Sequence, residues 1–408
     1  MNFINSILQQ ISGISKSRKK FMIILFKTML AVPGKINFRN LSRFCDLSEK
    51  TFSRNFRKAF CFMQLNLLLI KSIYRKSTDL ILAVDCSFID KSGKKTYGLG
   101  RFFNGSNSRA EKGLEIFLAS IVDPIINTAF SLLAYQTPAD LHNSNSRSNK
   151  NIYDETRIDF YLECLNNTYN QIKGMVKYCV ADGFFAKSKF VNGVLNMSLH
   201  FICKLRSDAN LKFIYKCKSR SKRGRPKLYD GKVMFDDLRR FQFVKKLDEN
   251  VSLYTAIVYN VNLKRKIRIA LLVFHRNKKK RDYAVLFSTD LELSAQKIYE
   301  YYKSRFQIEF IFRDAKQHTG LCDCQATKKV TLDFHFNASL TTLNIAKIGS
   351  LKSHKKDYDF IFSMASIKRI AFNENLMENI FSKLGFDLSL IKFHSVFREF
   401  RNYGTIAA

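Results

Sequence analysis

Acidic residues are scarce in this chain of 408 residues. Lys and Arg together number 69 against 34 Asp and Glu, which leaves a formal net charge of +35. A chain with this excess repels itself unless a polyanion neutralises it, and DNA or RNA is the obvious candidate. Proline is rare as well, with four residues, while 46% of the residues are hydrophobic. This composition argues against a disordered chain and indicates a folded protein of two or three domains.

Long apolar segments are missing too. The longest run near the start, residues 21–32, contains Lys27 and is too short to span a bilayer. There is no lipidation motif, and no convincing cleavage site follows the run. Nine cysteines, an odd number scattered along the chain, are typical of reduced thiols. We therefore expect a cytoplasmic protein with no membrane partner.

The N-terminal part, residues 1–78, has the spacing of a helical domain. Residues 36–57 within it predict a short helix, a turn and a second helix that begins after Ser48 as N-cap. Arg54 and Arg57 lie on this second helix, so the segment resembles a helix-turn-helix that binds DNA in the major groove. A helical hairpin with a solvated basic face is the alternative.

Residues 79–205 predict three strands, a helix, a strand, a helix and a strand, which is the order of an RNase H-like α/β core. Asp85 and Asp182 each follow a short apolar run, so we expect both carboxylates at the end of a buried strand and at one edge of the sheet. Two carboxylates held so close repel each other unless a cation lies between them. Mg²⁺ prefers such oxygen ligands.

An all-β insertion is expected over residues 206–290, where β-rich runs alternate with basic loops. One loop contains Arg223 and Arg225 in an Arg-Gly-Arg-Pro sequence, which can lie in an A·T-rich minor groove. A flexible charged loop is the alternative. Helical spacing then returns, with residues 291–350 completing the core and residues 351–408 forming a helical C-terminal region.

The segment from Tyr302 to Lys316 predicts one helix face that carries four functional side chains. At 100° per residue, Tyr302, Arg305, Glu309 and Lys316 fall within a sector of roughly 60°. This face would offer a carboxylate to a metal, two cations to phosphates and an aromatic ring to a base or sugar. A surface ladder of salt bridges is the alternative.

The spacing of these four residues resembles the Tyr-Arg-Glu-Lys signature of a large bacterial insertion-sequence transposase family of the DDE type. Asp85 in Val-Asp-Cys-Ser-Phe and Asp182 in Val-Ala-Asp-Gly-Phe are similar to the first two catalytic aspartates of that family. The β-rich insertion between Asp182 and Glu309 is also similar. The resemblance covers about residues 36 to 350.

The resemblance implies a fold and a reaction. Asp85, Asp182 and Glu309 would hold two Mg²⁺ ions about 4 Å apart, with Mn²⁺ as a substitute, for cut-and-paste transposition. Tyr302, Arg305 and Lys316 would contact the transposon end. Double-stranded DNA, as terminal inverted repeats and as target, would be the partner of a homodimer at the bacterial nucleoid. One departure is the lack of tryptophan, since relatives often stack one on a flipped base.

Two other functions fit parts of the pattern. An RNase H-like nuclease or junction resolvase would cleave without strand transfer. A DNA-binding regulator with an inactive site would bind without cleaving, although the intact Asp-Asp-Glu set argues against it.

Overall fold

The fold is described from a computed structural model, which covers residues 2–74, 79–139, 141, 156–215, 227–275, 282–353, 362–392 and 394–406. It is a mixed α/β fold, as the sequence predicts. Arg223 and Arg225 lie outside the described residues. In the described ranges, no helix is both long enough and apolar enough to cross a membrane.

Helices form the N-terminal part. Side chains of Ser15, Asn37 and Ser48 accept hydrogen bonds from backbone N–H groups at three helix starts, which satisfies donors that have no partner inside the helix. The N-cap predicted at Ser48 is thereby confirmed. The helices are α1 Asn2–Gln9, α2 Lys16–Ala31, α3 Phe38–Leu41, α4 Glu49–Phe56 and α5 Phe62–Lys71.

The first half of the sheet contains both parallel and antiparallel strands. Its elements are β1 Ile81–Asp90, β2 Gly100–Asn104, β3 Arg109–Asp123, β4 Thr128–Gln136, α6 Arg157–Ile172, β5 Tyr178–Val180, α7 Ser188–Asn196 and β6 His200–Leu205. Strand β3 pairs antiparallel with β1, β2 and β4, whereas β5 lies parallel to both β1 and β6. The parallel strands β1 and β5 therefore point their carboxyl ends toward the same edge.

The β-rich segment continues the same sheet. Its strands are β7 Leu211–Ile214, β8 Tyr229–Lys232, β9 Gln242–Asp248, β10 Val251–Asn260, β11 Arg265–Phe274 and β12 Asp282–Ser288. Strand β12 pairs antiparallel with both β6 and β11, so one 12-stranded sheet runs through both parts.

Helices return after the sheet, as predicted. They are α8 Ala295–Ser304, α9 Gln307–His318, α10 Lys329–Ser353, α11 Met364–Lys383, α12 Leu388–Ile391 and α13 Ser395–Arg401. Helix α10 is buried along most of its length and packs on β4. The amides of Asn337 and Asn344 each bond a backbone N–H and a C=O of β4, at Ala134 and Ser131. Two asparagines two turns apart thus replace the next strand along this side of β4.

Candidate active site

Asp85 and Asp182 meet across the two parallel strands. The register pairs Leu82 with Cys179 and Ala83 with Val180, and the same offset leads from Asp85 to Asp182. Asp182 follows β5 and accepts a hydrogen bond from Phe184 N–H at 3.0 Å, which starts a single turn of 3₁₀-helix. The expectation that Asp85 ends its strand is wrong. Strand β1 continues to Asp90, because its pairing with β3 extends beyond the apolar run.

The prediction of a single helix from Tyr302 to Lys316 is also wrong. Helix α8 ends at Ser304, and the next helix starts at Gln307. Between them, Phe306 N–H donates to Lys303 O, and Ile308 N–H to Arg305 O, so the spacing shifts from four residues to three. This tighter winding offsets α8 from α9. The expected 60° sector therefore does not apply across all four positions.

Arg305 lies inside the break and bridges two acids. Its Nη2 is 2.7 Å from Glu309 Oε1, and its Nη1 is 3.4 Å from Asp85 Oδ2. The side chain is only 9% exposed, and its Nε has no hydrogen-bond partner among the described residues. The sequence predicts a phosphate-gripping arginine, but here the guanidinium balances carboxylates.

The three acids influence one another electrostatically. Burial, followed by repulsion from Asp182, raises the pKa of Asp85 to about 7. The pKa of Asp182 is also raised, chiefly by burial, while Arg305 opposes the shift. Glu309 adds a smaller repulsion to both aspartates. The site thus collects three carboxylates around one buried cation.

Two further residues of the predicted helix face are Tyr302, which precedes Arg305 in the sequence, and Lys316, which follows Glu309. Tyr302 is half-buried, its ring centre is 5.5 Å from Arg305 Cζ, and burial raises its pKa to about 12. Lys316 is exposed, and its Nζ donates to Phe88 O at 2.8 Å, three residues beyond Asp85 on β1. Tyr302, Arg305 and Glu309 therefore come together, whereas Lys316 contacts β1 farther along that strand, at Phe88.

The donor types fit a divalent metal ion, but their present arrangement does not form a closed site. Carboxylate oxygens are the ligands that Mg²⁺ prefers, and the repulsion from Asp182, which adds to burial in raising the pKa of Asp85, is one that a cation between the two acids would relieve. Within the described ranges, however, no group of three or more His, Cys, Asp or Glu side chains is positioned to hold a metal. Arg305 bonds two of the three acids, so joint ligation by all three requires its side chain to move.

Two exposed phenylalanines beside the acids were not identified from the sequence. Phe184 follows Asp182 and is 47% exposed, with Lys187 Nζ 4.2 Å from its ring centre. Phe306, in the helix break, is 48% exposed. Exposed aromatic rings can stack on nucleic-acid bases. No sequence signal separates them from the many core phenylalanines.

The second helix of the predicted helix-turn-helix has the expected two faces. Phe52 and Phe56 are buried, while Arg54 and Arg57 are exposed at its end. The neighbouring α2 holds this helix in place, because Arg18 donates to the carbonyl oxygens of Asn55 and Lys58 at 2.9 Å. The basic face is therefore presented from a fixed support.

Comparison with known proteins gives one family. The family described as DDE superfamily endonuclease matches residues 15–251, which is more than half of the chain. The match includes Asp85 and Asp182 and ends before Glu309. No curated protein matches the chain. With this coverage, the chain belongs to the DDE superfamily endonucleases, a class of nucleic-acid-cleaving enzymes.

Proposed function

We propose that this protein is a DNA transposase of the Tyr-Arg-Glu-Lys type, which cleaves transposon ends and joins them to target DNA. The observation that carries the proposal is the convergence of Asp85, Asp182 and Glu309, with Arg305 among them. The strand order β4-β3-β1-β5-β6 supports an RNase H-like core. The acid beyond the family match, Glu309, stands on the helix pair that bears the signature.

The three carboxylates would hold Mg²⁺, or Mn²⁺ in its place, once Arg305 releases Glu309. Bound divalent ions supply activation of a water or 3′-hydroxyl and stabilisation of the leaving oxygen. Asp85 and Asp182 fix one wall of the site because their strands are paired and buried. Glu309 stands on α9, which the buried side chains of Ile308, Ile311 and Phe312 anchor to the core.

DNA would be positioned by contacts outside the acids. The formal charge of +35 favours a polyanion, and Arg54 and Arg57 would meet base edges in the major groove. Lys316 would contact phosphates near the scissile end, with Tyr302 and Arg305 beside the cleaved strand. Arg223 and Arg225 would read the minor groove.

A homodimer would bring the two transposon ends together. Apolar side chains are exposed on and between the C-terminal helices, where a second copy would cover them. They include Leu376, Ile380, Leu384, Phe386 and Phe400. If cleavage requires the dimer with both ends bound, a single unpaired end would not be cut.

Alanine substitution of the acids tests the proposal. Asp85→Ala, Asp182→Ala and Glu309→Ala should each lower single-turnover cleavage by about a thousandfold or more, while DNA affinity changes only a few-fold. The substrate is a duplex carrying the DNA that flanks the reading frame, assayed with Mg²⁺ and with EDTA.

A strand-transfer assay with target plasmid defines the reaction further. Joined products support transposition, whereas cleavage without joining would favour a nuclease or resolvase. Binding without cleavage by the wild-type protein would favour a regulator. Near-normal cutting by any one alanine variant would remove that residue from the site.

A further inference from the structure

A cavity rich in cations lies between the N-terminal and C-terminal helices. It has a volume of about 500 Å³ and is bounded by residues 31–35 at the C-terminal end of α2, the end of α9 and one face of α11. Its basic lining residues are Lys35, Lys316, Lys368 and Arg369, together with His318. None of these residues belongs to the three-acid cluster, and none but Lys316 has a role so far.

The charges of this cavity are not balanced within it. Among the described residues of the lining, Asp323 is the only acid, and its Oδ2 accepts a hydrogen bond from Ile36 N–H at 2.7 Å. None of the four Lys and Arg side chains forms an ion pair with a described carboxylate. Burial lowers the pKa of Lys368 to about 8, so its ammonium lacks full solvation. An entering anion would meet four Lys and Arg side chains and a single carboxylate, Asp323, which already accepts a hydrogen bond from Ile36 N–H.

The cavity also connects the two regions that the proposed reaction requires. Lys316 lines a second cavity of about 720 Å³, which reaches Phe88 and Asp90 on β1. There Arg109 already pairs with Glu111 at 2.7 Å, so the second cavity is less strongly cationic. In the other direction, residues 31–35 lead directly to α3 of the helix-turn-helix. Asp323 also lines a third cavity, which Glu49 and Phe56 of α4 border, so the first cavity shares lining residues with cavities that reach α4 and β1.

We propose that this cavity binds the phosphodiester backbone of DNA between α4, the second helix of the predicted helix-turn-helix, and the three acids. Four cations around one opening suit a run of phosphates better than a single small anion. Contacts of this kind carry no sequence information, but they fix the register of the duplex. The inference rests on the proposed function, because it takes DNA as the substrate.

The double variant Lys35→Ala/Arg369→Ala tests the inference, since both side chains are exposed and neither forms a described ion pair. Its Kd for a fluorescent DNA duplex should rise at least tenfold at about 150 mM NaCl. The slope of log Kd against log salt should fall by about two, which is the loss expected for two phosphate contacts. Arg369→Lys keeps the charge and should keep the slope.

A matched control removes two lysines elsewhere. Lys264 and Lys266 are exposed at the β10–β11 turn, outside both cavities, so Lys264→Ala/Lys266→Ala makes the same change in net charge. Equal losses in the two double variants would mean that bulk charge explains the effect and would overturn the inference. An unchanged Kd and slope in the cavity variant, with an unchanged melting temperature, would also overturn it. Failure of the wild-type protein to bind duplex DNA would instead reject the proposed function.

Discussion

At the scale of single residues, the acid cluster holds carboxylates whose ionisation is opposed by burial and by their mutual repulsion. Burial opposes ionisation of Asp85, and the neighbouring Asp182 adds repulsion. Arg305 offsets part of the repulsion between the carboxylates by pairing with Asp85 and Glu309. A site with this balance is sensitive to both protons and cations, because either can neutralise the carboxylates.

The pH dependence of stability should reveal the raised pKa of Asp85. The folded protein retains this proton up to about pH 7, whereas the unfolded chain loses it near pH 4. Because the folded state binds more protons in that window, the wild-type protein loses stability as pH rises from 4 to 7. Asp85→Asn removes the loss. It should raise the free energy of unfolding at pH 7.5 by on the order of 2–4 kcal/mol, with little change at pH 4.

Urea unfolding at both pH values, in buffer with EDTA, provides the measurement. Asp46→Asn serves as the control, since Asp46 is exposed, and it should leave stability unchanged at either pH. Mg²⁺ should raise the melting temperature of the wild-type protein more than that of Asp85→Asn. Equal stability of Asp85→Asn and wild type at pH 7.5 would show that burial does not penalise this carboxylate.

Arg305 should compete with metal ions for the acids. Removing the guanidinium leaves two carboxylates free, so Arg305→Ala should bind Mn²⁺ roughly tenfold more tightly in isothermal titration calorimetry. Cleavage should nevertheless fall, because the phosphates lose a partner. Arg305→Lys should not restore the full rate, since an ammonium lacks the fork that reaches two groups. Arg313→Ala removes one charge from the adjacent helix α9 and is the control, because Arg313 pairs with Asp314 instead. Weaker Mn²⁺ binding by Arg305→Ala would contradict the competition.

At the scale of helices and strands, local patterns predicted much of the fold. The start of α4 after its N-cap Ser48 and the return of helices after the sheet follow from a capping residue and from helical spacing. Periodicity also indicated Asp85, Asp182 and Glu309, although their shared site depends on strand pairing. The break at Arg305 could not be predicted, because a change from four- to three-residue hydrogen bonding leaves the apolar spacing nearly unaltered. The contacts of Asn337 with β4 are equally invisible, since they join residues far apart in sequence.

The end of α9 is expected to tolerate no side chain at Gly320. Its φ is +73°, and a Cβ would approach the Ile36 Cβ to 2.5 Å. Gly320→Ala therefore combines an unfavourable backbone with a clash against the segment that leads into α3, and should cost on the order of 2–4 kcal/mol. Gly174→Ala is the matched control, because Gly174 has a φ of +84° with open space around it. It should cost about 1 kcal/mol, which is the backbone part alone. Equal melting temperatures for the two variants would show that Ile36 yields to the added methyl group.

At the scale of the whole molecule, one sheet joins the acid-bearing strands to the β-rich segment. Strand β12 pairs with β6 on one side and β11 on the other, and β6 pairs with β5. The sequence predicts this segment as an insertion. In the described residues, strand pairing continues without interruption from the acid-bearing strands into this segment. Coupling through backbone hydrogen bonds should make the two parts unfold together.

Removing a buried side chain from the centre of the β-rich segment should therefore destabilise the distant strands as well. Leu271 on β11 is fully buried and pairs with Tyr254 and Val285 on the flanking strands. Leu271→Ala should cost about 2–4 kcal/mol through lost burial and the cavity left behind. Hydrogen exchange monitored by mass spectrometry should show faster exchange in peptides from β10–β12 and also in those from β1 and β5. Ile257→Ala on β10 is the control, because that side chain is 36% exposed and contributes much less. If β1 kept wild-type protection while β10–β12 lost theirs, the two parts would be separate folding units. Nucleic acid could then act on one without loosening the other.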